Sequence, residues 1–171
     1  GGNVDESDET NNVSDVSIKI MEKGTLKLDS NNGDGPVTAT WSAANEEIVK
    51  GYKLKYTTDG ENYKEIAINE ENVVYDADKK EYTYTFPAEE GLFNETDVTI
   101  MVTFDEDTEN GTYFDFASDK AMVDLVITNV TGPNEKGEKV RVKVNFDLTA
   151  TVKNIGTAMV APTTDDLEGR S

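Results

Sequence analysis

The sequence predicts an all-β protein whose strands pack in layers as a sandwich, and three observations carry that expectation. From residue 16 onward apolar side chains recur with period two in short runs, the spacing that turns one side of a pleated strand toward a core. No segment offers an apolar stripe at helical spacing. The runs are separated by turn chemistry, Asn32-Gly33-Asp34-Gly35, Asp59-Gly60 and Asn110-Gly111, where Gly or Asn takes the positive φ that tight turns demand.

The runs span residues 16–21, 25–29, 37–42, 51–57, 63–68, 82–86, 98–104 and 112–116. Residues 1–15 precede them with almost no apolar side chain and with Asp5, Glu6, Asp8 and Glu9. Such a stretch cannot bury enough surface to offset its ordering entropy, so a disordered acidic leader or linker is expected there. In the third run Val37, Ala39 and Trp41 share one side of the strand, with Thr38 and Thr40 on the other. The same parity turns Tyr52, Leu54 and Tyr56 inward with Lys53 and Lys55 outward, and Val98, Ile100, Val102 and Phe104 inward with Thr99 and Thr103 outward. Tyr82, Tyr84 and Phe86 share a face that a two-layer fold must bury. The expected core is therefore a single layer centred on Trp41, which leaves Tyr63, Tyr75, Tyr113 and Phe114 outside it.

Composition narrows the chemistry. The 171 residues hold 35 acidic against 16 basic side chains, a formal charge of −19, so neither nucleic acid nor an anionic membrane surface is an expected partner. The absence of His and Cys removes imidazole catalysis, thiol nucleophiles, disulfides and most zinc sites. No apolar run approaches the roughly 18–20 residues of a membrane helix, so membrane insertion is not expected. The acidic balance, the richness in Thr and Asn and the strand pattern lean toward an extracellular protein, secreted or attached to a cell surface.

The order PVTATW (36–41), GYKLKYTTDGENYKEI (51–66) and GLFNETDVTIMV (91–102) resembles a fibronectin type III domain. Trp41 sits in the second strand, Tyr56 in the third, Tyr63 follows the Asp59-Gly60 turn, and Gly91-Leu92 leads into the sixth strand. The resemblance covers about residues 24–121 and implies an immunoglobulin-like β-sandwich over residues 16–121. That family usually places Tyr where this chain has Val98, so the corner hydrogen bond of that hydroxyl is expected to be missing.

Beyond Ala121 a second pattern begins. DLVITNVTGP (124–133), GEKVRV (137–142) and TVKNIGTA (151–158) resemble the opening of the bacterial cell-adhesion-related domain called CARDB, itself immunoglobulin-like. Val140, Val142, Val144, Phe146, Leu148, Ala150 and Val152 alternate strictly. Residues 122–171 are thus expected to form a partial second immunoglobulin-like segment. Two long strands cannot make an independent fold; they must pack on the first domain, pair with another chain, or belong to a domain whose remainder lies beyond residue 171, and the polar end of the chain favours the last. An unfinished sandwich has open strand edges, through which a homodimer is expected to form.

The strongest metal candidate is the loop from Asp105 to Gly111, with Asp105, Asp107 and Glu109 as candidate Ca²⁺ ligands and Glu106 beside them. Ca²⁺ takes six to eight oxygens from such groups, although the spacing matches no EF-hand and a solvated turn looks the same. The stretch from Asp29 to Gly35 reads as a Gly/Asn turn, and Asp76-Ala-Asp78-Lys-Lys-Glu81 as a loop before a strand. No nucleophile elbow, phosphate loop or singled-out carboxylate pair appears, so no enzymatic activity is expected. These readings converge on a non-catalytic extracellular module of a larger bacterial surface or secreted protein, acting as a spacer, in adhesion or in protein interaction. The alternative is an accessory module of a polysaccharide-degrading enzyme that binds glycan or positions the catalytic domain. Its expected partner is a protein or glycan ligand at the cell surface.

Overall fold

The computed structural model describes residues 22–43, 51–103, 110–132 and 147–160. The leader at 1–15, the run at 16–21, Phe104 and the candidate ligands Asp105, Asp107 and Glu109 lie outside these residues. Every regular element among them is a strand: β1 Leu26–Asp29, β2 Thr38–Ser42, β3 Gly51–Thr57, β4 Tyr63–Ile68, β5 Val74–Asp76, β6 Glu81–Thr85, β7 Thr96–Thr103, β8 Tyr113–Ala121, β9 Leu125–Thr131 and β10 Thr149–Asn154. Two four-stranded antiparallel sheets, ordered β1-β2-β6-β5 and β4-β3-β7-β8, form a sandwich, and β9 with β10 forms a separate two-stranded ribbon.

The layers meet along the faces that alternation marks. Trp41, Ala39, Leu54, Val98, Ile100 and Val102 are completely buried, and Tyr56, Phe86 and Leu92 nearly so. Each of the large aliphatic and Phe side chains among them contributes roughly 1.5–3 kcal/mol of transfer free energy. Trp41 stacks on Tyr82 of the neighbouring strand at 5.8 Å and meets Tyr52 of the opposite sheet at 6.0 Å. Val98 fills an inward position of β7. One edge is tied across the layers: the Leu28 amide donates to Asp119 Oδ2 at 2.8 Å, and the Gly24 amide to the Phe116 carbonyl at 3.0 Å.

Some elements differ from expectation for local physical reasons. Strand β5 was not anticipated, because three residues with Val74 and Tyr75 both exposed show no alternation. Strand β8 runs to Ala121 rather than Phe116. Its pairing with β7 shifts between Ile100 and Met101, leaving Phe116 as the extra residue of a bulge. Phe116 and Ala117 are consequently both buried, which breaks period two in the sequence. Thr103 has outward parity yet is completely buried.

The chain leaves β8 directly into β9. Its return segment joins the base of the sandwich: the Ile155 amide donates to the Asp124 carbonyl at 2.7 Å, the Thr157 amide to Met122 at 2.8 Å, and the Met159 amide to Leu92. Phe93 and Met159 form a parallel bridge, and Ala158 belongs to the sandwich's buried cluster.

Candidate functional site

A groove opens at this junction. It measures about 320 Å³ and runs between the turn after β1, the segment before β7 and the return segment after β10, lined by Pro36, Val37, Leu92, Ala158 and Met159 among others, with Glu90 at its side. Its walls are fixed locally. The Ser30 hydroxyl donates to the Gly156 carbonyl at 3.0 Å and accepts from the Gly33 amide at 3.1 Å. Asn31 and Asn32 take φ of 51° and 57°, the left-handed values that short polar side chains tolerate. Asp34 is paired with Lys153 of β10. Asp29 accepts from the Asn31 amide and from Lys27 Nζ, and the Asn31 bond, then Lys27, holds its carboxyl below the usual range. The carboxylates that make residues 29–35 look ligand-like are thus engaged within the fold, as a turn requires.

On the other wall Glu90 accepts hydrogen bonds from the Tyr56 hydroxyl and, at 3.2 Å, from Lys64 Nζ. The Tyr56 contact, then the Lys64 contact, pulls the Glu90 carboxyl below its usual range against the opposing effect of burial. Burial and Glu90 push the Tyr56 phenol well above its usual range. A carboxyl depressed in the folded state stabilises it above the unfolded pKa and loses that contribution as pH falls through the folded pKa. Glu90→Ala is therefore expected to cost ~1–2 kcal/mol at neutral pH, the worth of charge-assisted hydrogen bonds at a partly exposed site. In thermal melts from pH 7 to pH 3 the gap between variant and parent should narrow toward the acid end; a gap independent of pH would remove Glu90's charge from the explanation.

Asp76 and Asp59 also anchor turns. Asp76 Oδ1 accepts the amides of Asp78 and Lys79 at 3.0 Å each, closing the β5–β6 hairpin. Asp59 accepts from the side chain and amide of Asn62, the Glu61 amide and the Thr57 hydroxyl, which together hold its carboxyl far below the usual range. Among the described residues no group of three or more acidic side chains is arranged to hold a metal ion.

The outward lysines of β3 cover aromatic rings. Lys53 Nζ lies 4.3 Å from the centre of Tyr113 and 3.7 Å from Glu65, and Lys55 Nζ lies 5.2 Å from Tyr63. Exposed aromatics are dispersed: Tyr63 is on edge strand β4, Phe114 on the opposite edge strand β8, and Tyr75 on β5 of the other sheet. Tyr75 is the outer member of a ring series that passes through Tyr82, 4.6 Å away, to buried Trp41. The Trp41 Nε1–H has no hydrogen-bond partner among the described residues.

Sequence reasoning placed Trp41 and the β3 lysines on their faces but did not foresee the junction groove. Ser30 and Gly156 are 126 positions apart, and no local signal joins them. No protein-family model matches this chain, and neither a curated protein nor a solved structure does so.

Proposed function

We propose that this chain is a non-catalytic, extracellular immunoglobulin-like module of a larger bacterial surface or secreted protein, serving as a spacer that fixes the direction of what it connects. The observation that carries the reading is the junction. Strand β8 passes into β9 without a long linker, and backbone hydrogen bonds from Ile155, Thr157, Ala158 and Met159 brace the return segment against Met122, Asp124 and Leu92. A flexible linker would leave those amides to water; here they resist bending between sandwich and ribbon. The layer orders β1-β2-β6-β5 and β4-β3-β7-β8 support the immunoglobulin-like assignment, since they correspond to the A-B-E-D layer and a C-F-G layer with one added strand. Buried Trp41 and the dispersal of the exposed rings favour a spacer over a sugar receptor, which needs rings gathered on one platform.

The test has two arms. Residual dipolar couplings measured by NMR should fit one common alignment tensor for the β2–β7 core and for the 122–131/149–158 junction. Separate tensors would mean independent motion and would sink the spacer reading. On a polysaccharide array the chain should give no signal; binding abolished by Tyr75→Ala would instead favour the glycan-binding accessory module.

A further inference from the structure

The β9–β10 ribbon presents an apolar face that the sequence alone conceals. Its register pairs Ala150 with Val130, Thr151 with Asn129 and then Val152 with Ile127, so Thr128 is an extra residue in β9. That bulge shifts parity within the strand. Val130 on one side of it and Ile127 and Leu125 on the other come to share a face with Leu148, Ala150 and Val152. The opposite face carries Thr149, Thr151, Asn129 and Lys153, and Lys153 reaches Asp34 on the sandwich. The apolar side chains are left in water: Leu125 is 54% exposed, Ile127 66%, Val130 54%, Leu148 65% and Val152 54%. A two-stranded ribbon is marginal alone and needs a covering layer, and a contiguous apolar patch on an otherwise strongly acidic protein marks a contact surface.

We propose that this face is covered by the same face of a second copy of the chain, the two ribbons packing face to face about a twofold axis into a four-stranded miniature sandwich. Area is one argument. Each copy offers five large aliphatic side chains that are more than half exposed, so a symmetric pair brings ten of them together, an interface at the small end of the size scale. Charge is the other. The chain carries −19, which opposes most self-contacts, but none of the six side chains of this face is charged. Stacking it on its own copy buries no unpaired ion and gives an isologous, closed contact. The contact is between faces, not edges, and it is strengthened by salt, which screens the repulsion between the two acidic bodies.

Sedimentation equilibrium over about 10–500 µM, the range in which interfaces at the small end of the size scale associate, reads the outcome. The parent chain should approach twice its monomer mass, and more readily at 0.5 M than at 0.05 M NaCl. Ile127→Glu should weaken association by at least about tenfold, since it buries a carboxylate without a partner, while Thr151→Glu on the opposite face should leave it unchanged. Near-ultraviolet circular dichroism of the sandwich aromatics should be the same in all three proteins. The chain has no Cys, so Val152→Cys should be joined into a dimer by a short bis-maleimide and Thr151→Cys should not. A parent that stays monomeric throughout overturns the proposal. So does a dimer that survives Ile127→Glu, because its contact would then be a strand edge or another surface.

Discussion

Trp41→Ala is expected to lower the unfolding free energy by about 3–5 kcal/mol, the range for truncating a large aromatic in a close-packed core. Domains are stable by only about 5–15 kcal/mol in total, so the variant should lose a large share of its stability and unfold at a clearly lower urea concentration. The indole is completely buried, stacked on Tyr82 and abutting Tyr52. Trp41→Phe isolates the contribution of shape. It keeps a ring between the two tyrosines and deletes an N–H that has no acceptor among the described residues, a group whose burial costs about 1–3 kcal/mol. Phe should therefore recover most of the loss. Urea unfolding followed by far-ultraviolet circular dichroism gives both values. Equal costs for Ala and Phe would show that packing volume is not what Trp41 supplies.

Gly156→Ala carries the second large expected effect, confined to one place. A Cβ on residue 156 would lie 2.1 Å from the Met122 carbonyl oxygen and 2.6 Å from the Asp124 nitrogen. Both are backbone atoms, so relief requires the ladder to part. The bonds from Ile155 to Asp124 and from Thr157 and Ala158 to Met122 would weaken together. Overpacking costs about 1–3 kcal/mol and each lost backbone bond about 0.5–1.5 kcal/mol, so the junction should lose about 2–4 kcal/mol of local stability. Hydrogen exchange should accelerate at the amides of Ile155, Thr157 and Ala158 and stay slow in β2 and β7. Gly60→Ala is the contrast: φ is +79° there but nothing lies within 4 Å of the added carbon, so only backbone strain is added and the junction amides stay protected. Unchanged exchange at Thr157 in Gly156→Ala would mean that the return segment is not held as described.

The strand limits at residues 51–57 and 63–68 were legible to the residue, because alternation and the Asp59-Gly60 turn are local signals with one physical meaning each. The inward placement of Trp41, Leu54, Val98 and Phe86 followed from the same period. Parity arguments failed where a residue was inserted. Phe116 in β8 and Thr128 in β9 each shift the register by one: Phe116 and Ala117 are buried side by side, and Val130 shares a face with Ile127 where strict alternation puts the two on opposite faces. Strand β5 was too short to show any period. The groove at the junction had no local signature, since Ser30 meets Gly156 and Tyr56 meets Glu90 only after the layers are assembled. The acidic loop of Asp105, Asp107 and Glu109 was the sequence's clearest candidate for ion binding, whereas the described acids Asp29, Asp59 and Asp76 proved to be anchors of turns.

Trp41 has an optical consequence as well. It is the only indole in the chain, shut away from water between two phenol rings that can pass it their excitation. Its emission reports on solvent entry between the two four-stranded sheets and is silent about the distant tip of the ribbon. A fluorescence melt of this protein is therefore a gauge of one compartment, and any difference from a whole-backbone signal measures how loosely the two compartments are yoked.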